Sequence, residues 1–192
     1  MKAKRAPETH PEIDHILHRK PGYLIRRLQQ MAVSIFLEET AKFDITPVQY
    51  AALAAIAVYP GIDQIRLANA IGIDRTTISG VIDRMEIKAL VRRRASSQDR
   101  RAKELQISPK GWKLLEDIEQ ATERVQERIL EPLKMSRRME FIGTLEELIR
   151  FHNSATRVPI DHALIAEQSA RVRGAAPAAR ERYRPTSRKK AT

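Results

Sequence analysis

The feature that most constrains this chain is a pair of short helical segments joined at Gly72, within the stretch from Ile62 to Met85. Asp63 and Asp74 each stand where a helix N-cap is expected, Asp63 before a helix from Gln64 to Ile71 and Asp74 before one from Arg75 to about Lys88. Leu67, Ala68 and Ile71 precede the glycine, and Ile73, Ile78 and Val81 follow it. Two short helices that pack nearly at right angles need small or apolar residues at those positions. Ala68 must be small where the second helix crosses, and Gly72 supplies a turn that a side chain would obstruct. Two unrelated amphipathic helices would not require all of these at once. Downstream, Val91-Arg92-Arg93-Arg94 has strand-like length and flanks, Ala95 to Arg101 is polar, and Lys103-Glu104-Leu105-Gln106-Ile107 alternates with period two. The expected product is a β-hairpin wing with a charged tip, and the whole stretch reads as a winged helix-turn-helix, a DNA-reading module.

Helices are expected on both sides of this unit. From Tyr23 to Phe43, Leu24, Leu28, Met31 and Ile35 trace one helix face, with Ile25, Ala32 and Phe36 beside it. So wide an apolar arc implies burial on more than one side, against the chain's own core and against a second subunit. Thr46-Pro47-Val48-Gln49 combines an N-cap, a proline at the first helical position and a capping-box glutamine, and Pro60-Gly61 ends the helix that follows. That helix carries no charge between Val48 and Tyr59, which places it centrally; its alanines let neighbours approach or leave room for a ligand. Ser108-Pro109 caps a long helix reaching about Leu130, with Leu114, Ile118, Ala121, Val125 and Ile129 on one face. Pro132 breaks it, and a last helix is expected from about Arg137 to Thr156. The fold class is therefore mostly α with a small hairpin wing. Its expected divisions are a flexible arm over 1–21, N-terminal helices for dimerisation and ligand over 22–60, and the winged unit over 61–108. C-terminal dimerisation helices over 109–160 and a basic, disordered tail over 161–192 complete the chain.

Net charge is +11, but it is unevenly held: from Glu167 to Thr192 eight basic residues face only Glu167 and Glu181, a surplus of +6. The remainder is modest, so an argument for a polyanionic partner rests on where charges sit. The tail either adds nonspecific DNA affinity through counterion release or serves solubility. There is no cysteine, which removes disulfides, zinc–thiolate sites and thiol redox sensing and fits a reducing cytoplasm. No apolar run approaches the roughly 20 residues of a membrane helix, and no signal peptide is expected. His10, His15 and His18 lack companions at ligand spacing and read as solvated. No metal, no cofactor and no catalytic residue is expected. Glycine-rich phosphate loops and nucleophile elbows are missing, and Glu38-Glu39 and Glu146-Glu147 are adjacent pairs, which point apart on a helix.

The layout resembles the MarR family of bacterial transcription regulators over about Tyr23 to Thr156. The resemblance is carried by Ile73-Asp74-Arg75-Thr76-Thr77-Ile78-Ser79, Val81-Ile82-Asp83-Arg84-Met85 and Leu90-Val91-Arg92-Arg93, by Asp99-Arg100-Arg101-Ala102, and by Leu105-Gln106-Ile107-Ser108-Pro109-Lys110-Gly111. Ala89 departs from the pattern, since the family usually has glycine before Leu-Val. The resemblance implies a homodimer with intertwined terminal helices, two winged modules and a palindromic operator of double-stranded DNA. Half-sites should lie roughly 34 Å apart. It implies a ligand-responsive regulator, with repression by blocking polymerase as the common mode, and absent cysteine argues against its thiol-based peroxide-sensing branch.

In the recognition helix, Arg75, Thr76, Thr77 and Ser79 would face base edges, Arg75 as a bidentate donor to guanine and the threonines reading A·T pairs. Arg84 and Lys88 would hold phosphates, with solvated helix charges as the other reading. Asp99 would orient Arg100, and Arg101 resembles the family's minor-groove arginine. At least one phosphate contact is expected among Arg92, Arg93 and Arg94, which alternate along a strand and cannot all face the groove. For an effector, relatives commonly bind an anionic aromatic molecule between dimer helices and winged unit. Phe36, Tyr50 and Tyr59 could line such a cavity, and Arg26 or Arg27 could pair with its carboxylate or phosphate. With Arg19 and Lys20 beside them, these arginines would suit an aromatic acyl-coenzyme A. The competing reading makes Phe36 and Tyr50 plain core and both arginines solvated. An architectural binder without sequence preference is the alternative function; Arg75-Thr76-Thr77 together with Arg101 is what such a protein would not need.

Overall fold

A computed structural model of the chain describes residues 18–95, 103–156 and 158–160. Six α-helices and a hairpin follow in the order α1 (Pro21–Glu39), α2 (Pro47–Val58), α3 (Gln64–Ala70), α4 (Arg75–Ile87), β1 (Val91–Ala95), β2 (Lys103–Ile107), α5 (Pro109–Leu130) and α6 (Met135–Phe151). Short 3-10 turns at Ala41–Phe43 and Asn153–Ala155 follow α1 and α6. Both are departures from continuous helices expected to Phe43 and Thr156. At the first, the Thr40 hydroxyl, buried, donates to the Phe36 carbonyl at 2.7 Å, and Asp44 adopts a left-handed φ of 49°, so the chain turns away before α2.

The caps form as the sequence specifies. Thr46 and Gln49 make a reciprocal capping box on α2, and the Asp63 carboxylate accepts from the Ile65 and Arg66 amides. Helix α2 is the hub, with Ala52, Leu53, Ile56 and Ala57 buried. Around it a single apolar cluster joins Phe36 of α1, Leu67 and Ala68 of α3, and Ile78, Ile82 and Met85 of α4 to the hairpin and α5. On α5 the buried line is Leu115, Ile118, Ala121, Thr122 and Val125; Leu114, expected in it, is only partly buried. The reading unit thus shares its core with the flanking helices.

The two helices of the helix-turn-helix end alike. After α3, the Ile73 amide bonds the Ala68 carbonyl and the Gly72 amide bonds that of Asn69; after α4, Leu90 bonds Met85 and Ala89 bonds Glu86. Each is a Schellman closure, which places one residue in the left-handed region: Gly72 at φ 67° and Ala89 at φ 57°. Open space surrounds the position of a Gly72 Cβ, so this glycine is needed for its φ and not, as expected, for clearance. Past Ala89 the hairpin pairs Val91 with Ile107 and Arg93 with Leu105. The Leu105 amide also bonds the Ile62 carbonyl at 2.9 Å, and Asp63 bridges to Glu104, so the chain entering α3 edges the wing.

Among the described residues, the first and last helices leave apolar side chains exposed. Helix α6 has no buried residue, and Met139 and Phe151 are 73% and 79% exposed. On α1 only Phe36 is buried; Leu24, Ile25 and Met31 are each about half exposed.

Candidate nucleic-acid interface

Helix α4 divides into a free end and an anchored end. At its start Arg75, Thr76 and Thr77 are exposed and Ser79 is partly buried, while Ile78, Val81 and Ile82 on the opposite side enter the core. Asp74 organises this start. Its Oδ1 accepts from the Thr77 amide at 2.9 Å and from the Thr76 hydroxyl, and its Oδ2 accepts from the Thr77 hydroxyl at 2.6 Å. The two hydroxyl bonds, with the amide, hold its carboxyl far below the usual carboxylate range. Arg75 makes no hydrogen bond or ion pair to a described residue.

The far half of α4 is tied down. Arg93 of β1 reaches back to it: its amide donates to Glu86 Oε1 at 2.9 Å, and its guanidinium pairs with Glu86 Oε2 and, at 2.7 Å, with Asp83 Oδ1. Arg93 is therefore a strap between wing and recognition helix, while Arg92 and Arg94 point to the other face of the hairpin and are exposed. Arg84 is exposed, with its guanidinium end over Gly80. Lys88 is engaged: its ammonium pairs with the Asp44 carboxylate at 2.9 Å and with the Asp44 carbonyl. Arg100 and Arg101 lie outside the described residues, as do Asp99 and Ala102.

A second set of bonds locks the turn after α4 onto the start of α5. Three successive carbonyls accept from one short segment: that of Lys88 from the Lys110 ammonium at 2.9 Å, that of Ala89 from the Ser108 hydroxyl at 2.7 Å, and that of Leu90 from the Ser108 amide at 2.9 Å. Ser108 Oγ accepts in turn from the Gly111 amide at 3.0 Å, capping α5. A Cβ on Gly111 would stand 2.3 Å from the Leu90 carbonyl oxygen, so only glycine fits.

The residues expected to meet an effector lie apart from this surface. The Phe36 ring is buried and packs on Tyr50 with centroids 5.8 Å apart, and Tyr59, partly buried, ends α2. Arg26 sits over the Tyr23 ring at 5.4 Å, on which His18 also stacks, and Arg27 donates to Gln30. Both arginines are exposed. Glu38 and Glu39, expected to point apart, converge on Arg128: Glu39 bonds Arg128 at 2.8 Å and Arg124 at 2.9 Å, and Glu38 bonds Arg128 at 2.9 Å. Long flexible arginines on α5 reach across to both, which fastens the end of α1. Among the described residues no group of side chains is placed to hold a metal, and no helix is long and apolar enough to cross a membrane.

Asp83, Glu86 and Asp44 escaped the sequence reading. Asp83 and Glu86 are three apart on one helix face opposite a run of arginines, a signal that identifies candidate partners but not which arginine turns inward. Asp44 carried no local signal.

Residues 45–103 match the model of the MarR family. A relative from Thauera aromatica, a putative transcriptional regulatory protein for the hcr operon, is 32% identical over 155 residues, spanning 78% of this chain and 93% of that protein. Among solved structures, Bordetella bronchiseptica BpsR, described with the regulation of its DNA binding by 6-hydroxynicotinic acid, aligns with TM-score 0.65 and 25% identity over 68% of this chain and 93% of its own. The transcriptional repressor CouR bound to a 23-mer DNA duplex aligns with TM-score 0.65 and 28% identity over 69% of this chain and 94% of its own.

Proposed function

Because the chain belongs to the MarR family of transcriptional regulators, with its winged-helix fold, we propose that it is a homodimeric repressor that a small organic effector releases from a palindromic operator. The observation that carries the reading is the division of α4. Arg75, Thr76 and Thr77 are exposed at a helix start whose far half is strapped to the wing, a geometry that presents the start to a major groove while the strap fixes the wing beside it. Arg75 then donates to a guanine, Thr76, Thr77 and Ser79 meet neighbouring base edges, and Arg84 and Lys88 lie toward phosphates, Lys88 exchanging Asp44 for one. For Arg100 and Arg101 the support is the wing sequence itself, and their role is a minor-groove contact.

Dimerisation is supported by the number of large apolar side chains left exposed on α1 and α6, which a second copy would cover. An aromatic acid is the favoured effector class, supported by the regulation described for BpsR and by the sequence, which sets Tyr50 and Tyr59 on an alanine-rich α2 and Arg26 and Arg27 on α1. The binding energy must differ between two dimer shapes for release to follow.

The test is a gel shift of the upstream intergenic region against random duplex at stated salt. Sequence preference is expected; equal binding of both would favour an architectural DNA binder instead. Isothermal titration with aromatic acids and their coenzyme A thioesters addresses the effector, and absence of heat from all of them would sink that class. Arg101→Ala should lose most specific binding with unchanged circular dichroism, and retained nanomolar operator binding would sink the wing assignment.

A further inference from the structure

The Asp74 carboxylate takes the single proton of both threonine hydroxyls that follow it, Thr76 on Oδ1 and Thr77 on Oδ2, while its Oδ1 also caps the helix through the Thr77 amide. A hydroxyl has one proton to give and lone pairs to accept with. Once the proton is committed to a carboxylate, in a charge-assisted bond about twice as strong as a neutral one, only acceptor capacity and the methyl group remain for a partner. Building on the reading of Arg75 to Ser79 as the base-contacting end, we propose that Asp74 sets the base preference of Thr76 and Thr77. It turns both into acceptors that select an amino group in the major groove, on adenine or cytosine, over the O6 and N7 of guanine or the O4 of thymine.

The carboxylate charge acts in the same direction. It lies beside the threonines, bound by three donors and held ionised well below neutral pH, so the local potential favours donor edges. Arg75, adjacent in sequence and without a partner among the described residues, supplies donors of its own. The helix start therefore offers a donor fork next to two acceptors, which matches a guanine alongside a base that carries an amino group. Asp74 touches no base in this scheme; it is a positioning residue, acting through the threonines.

Selection from a randomised duplex library with the full-length chain tests this, comparing wild type, Asp74→Asn, Thr76→Val and Thr77→Val. The valine variants identify the contacted positions as those whose preference they abolish. In the duplex that wild type selects, replacing the amino-bearing base at such a position by its analogue without the amino group (purine for adenine, 2-pyrimidinone for cytosine) should weaken binding by about tenfold. Asp74→Asn keeps a capping oxygen but brings an amide that donates to a threonine, freeing a hydroxyl proton. That loss of binding should then largely disappear and the base profile there should change, with other positions unchanged. Asp74→Ser, which caps with a side chain too short to bind both hydroxyls, gives the same readout should the asparagine variant fail to fold. An unchanged profile in a folded Asp74 variant, wild-type affinity indifferent to loss of the amino group at the valine-sensitive positions, or valine variants that alter no position would each overturn the inference while leaving DNA reading intact. Failure of wild type to enrich any sequence would overturn the reading itself, and the inference with it.

Discussion

The Ser108 hydroxyl donates to the Ala89 carbonyl at 2.7 Å, joining the second residue past the recognition helix to the cap of α5, nineteen positions along the chain. The same oxygen, on a buried side chain, accepts from the Gly111 amide, so one small side chain satisfies two backbone groups. Ser108→Ala should therefore cost about 2 kcal/mol, the sum of a lost N-cap and an orphaned carbonyl. In urea the midpoint should fall with no change in slope; an unaltered midpoint would mean that water replaces the hydroxyl at both partners.

Ala89 gives a prediction of opposite sign. Its φ of 57° costs an L-residue about 1–2 kcal/mol. Glycine removes that cost but raises the entropy of the unfolded chain by about 0.4–1 kcal/mol. Ala89→Gly should thus stabilise the protein by up to about 1 kcal/mol, seen as a higher melting temperature.

Gly111 has no such tolerance. A methyl there meets the Leu90 carbonyl, Ile107 and Leu53 together, and the nearest of these is backbone that already bonds Ser108. Gly111→Ala should destabilise by about 3 kcal/mol, at the upper end of overpacking costs, and wild-type thermal stability in that variant would contradict the close approach.

Asp44 competes with DNA for Lys88 if that lysine serves a phosphate. Lys88→Ala should then flatten the dependence of log affinity on log salt by about 0.9, the value of one lost phosphate contact, while Asp44→Ala should tighten binding by freeing the lysine. An unchanged slope, measured by titration across a range of salt, would remove Lys88 from the interface.

Acid should loosen the junction of α1 and α5. The Arg124 and Arg128 guanidinium groups hold the Glu39 carboxyl below its ordinary value of 4.5. Because the folded value is the lower one, the bonds stabilise fully above pH 4.5 and are lost progressively as pH falls below it. Glu39→Gln should flatten that part of the stability profile, and the Glu39 carboxyl should titrate below 4.5 by NMR in the wild type.

The helix-turn-helix was legible because its determinants are local. Caps at Asp63, Asp74 and Ser108, the turn at Gly72 and the period of Leu67, Ile78 and Val81 lie within a few residues of what they control. Partners chosen by tertiary approach were not. Nothing near Asp44 or Glu39 in the chain names Lys88 or Arg124, and a strand of three arginines does not say that Arg93 is the one turned to the helix. The α1 break was missed for a related reason. Thr40 is compatible with a helix, and no residue near it announces that the chain tightens into a 3-10 turn and reverses at a left-handed Asp44. Leu114 and Leu115 both fit the apolar arc of α5, so periodicity alone could not rank them. Among the expected site residues, Arg75, Thr76 and Thr77 share one exposed helix end, whereas Phe36 and Tyr50 lie in the core packing.

The strap from Arg93 to Asp83 and Glu86 has a consequence for how such a protein can diversify. Attachment and exposure occupy different turns of one helix: the strap begins at Asp83, and the exposed start ends by Ser79. Substitutions at 75, 76, 77 and 79, with Ile78 kept in the core, can therefore rewrite the vocabulary of the helix without loosening its grip on the wing. A lineage, or an engineer, can recode the exposed turn one residue at a time, provided the acids behind it stay where they are.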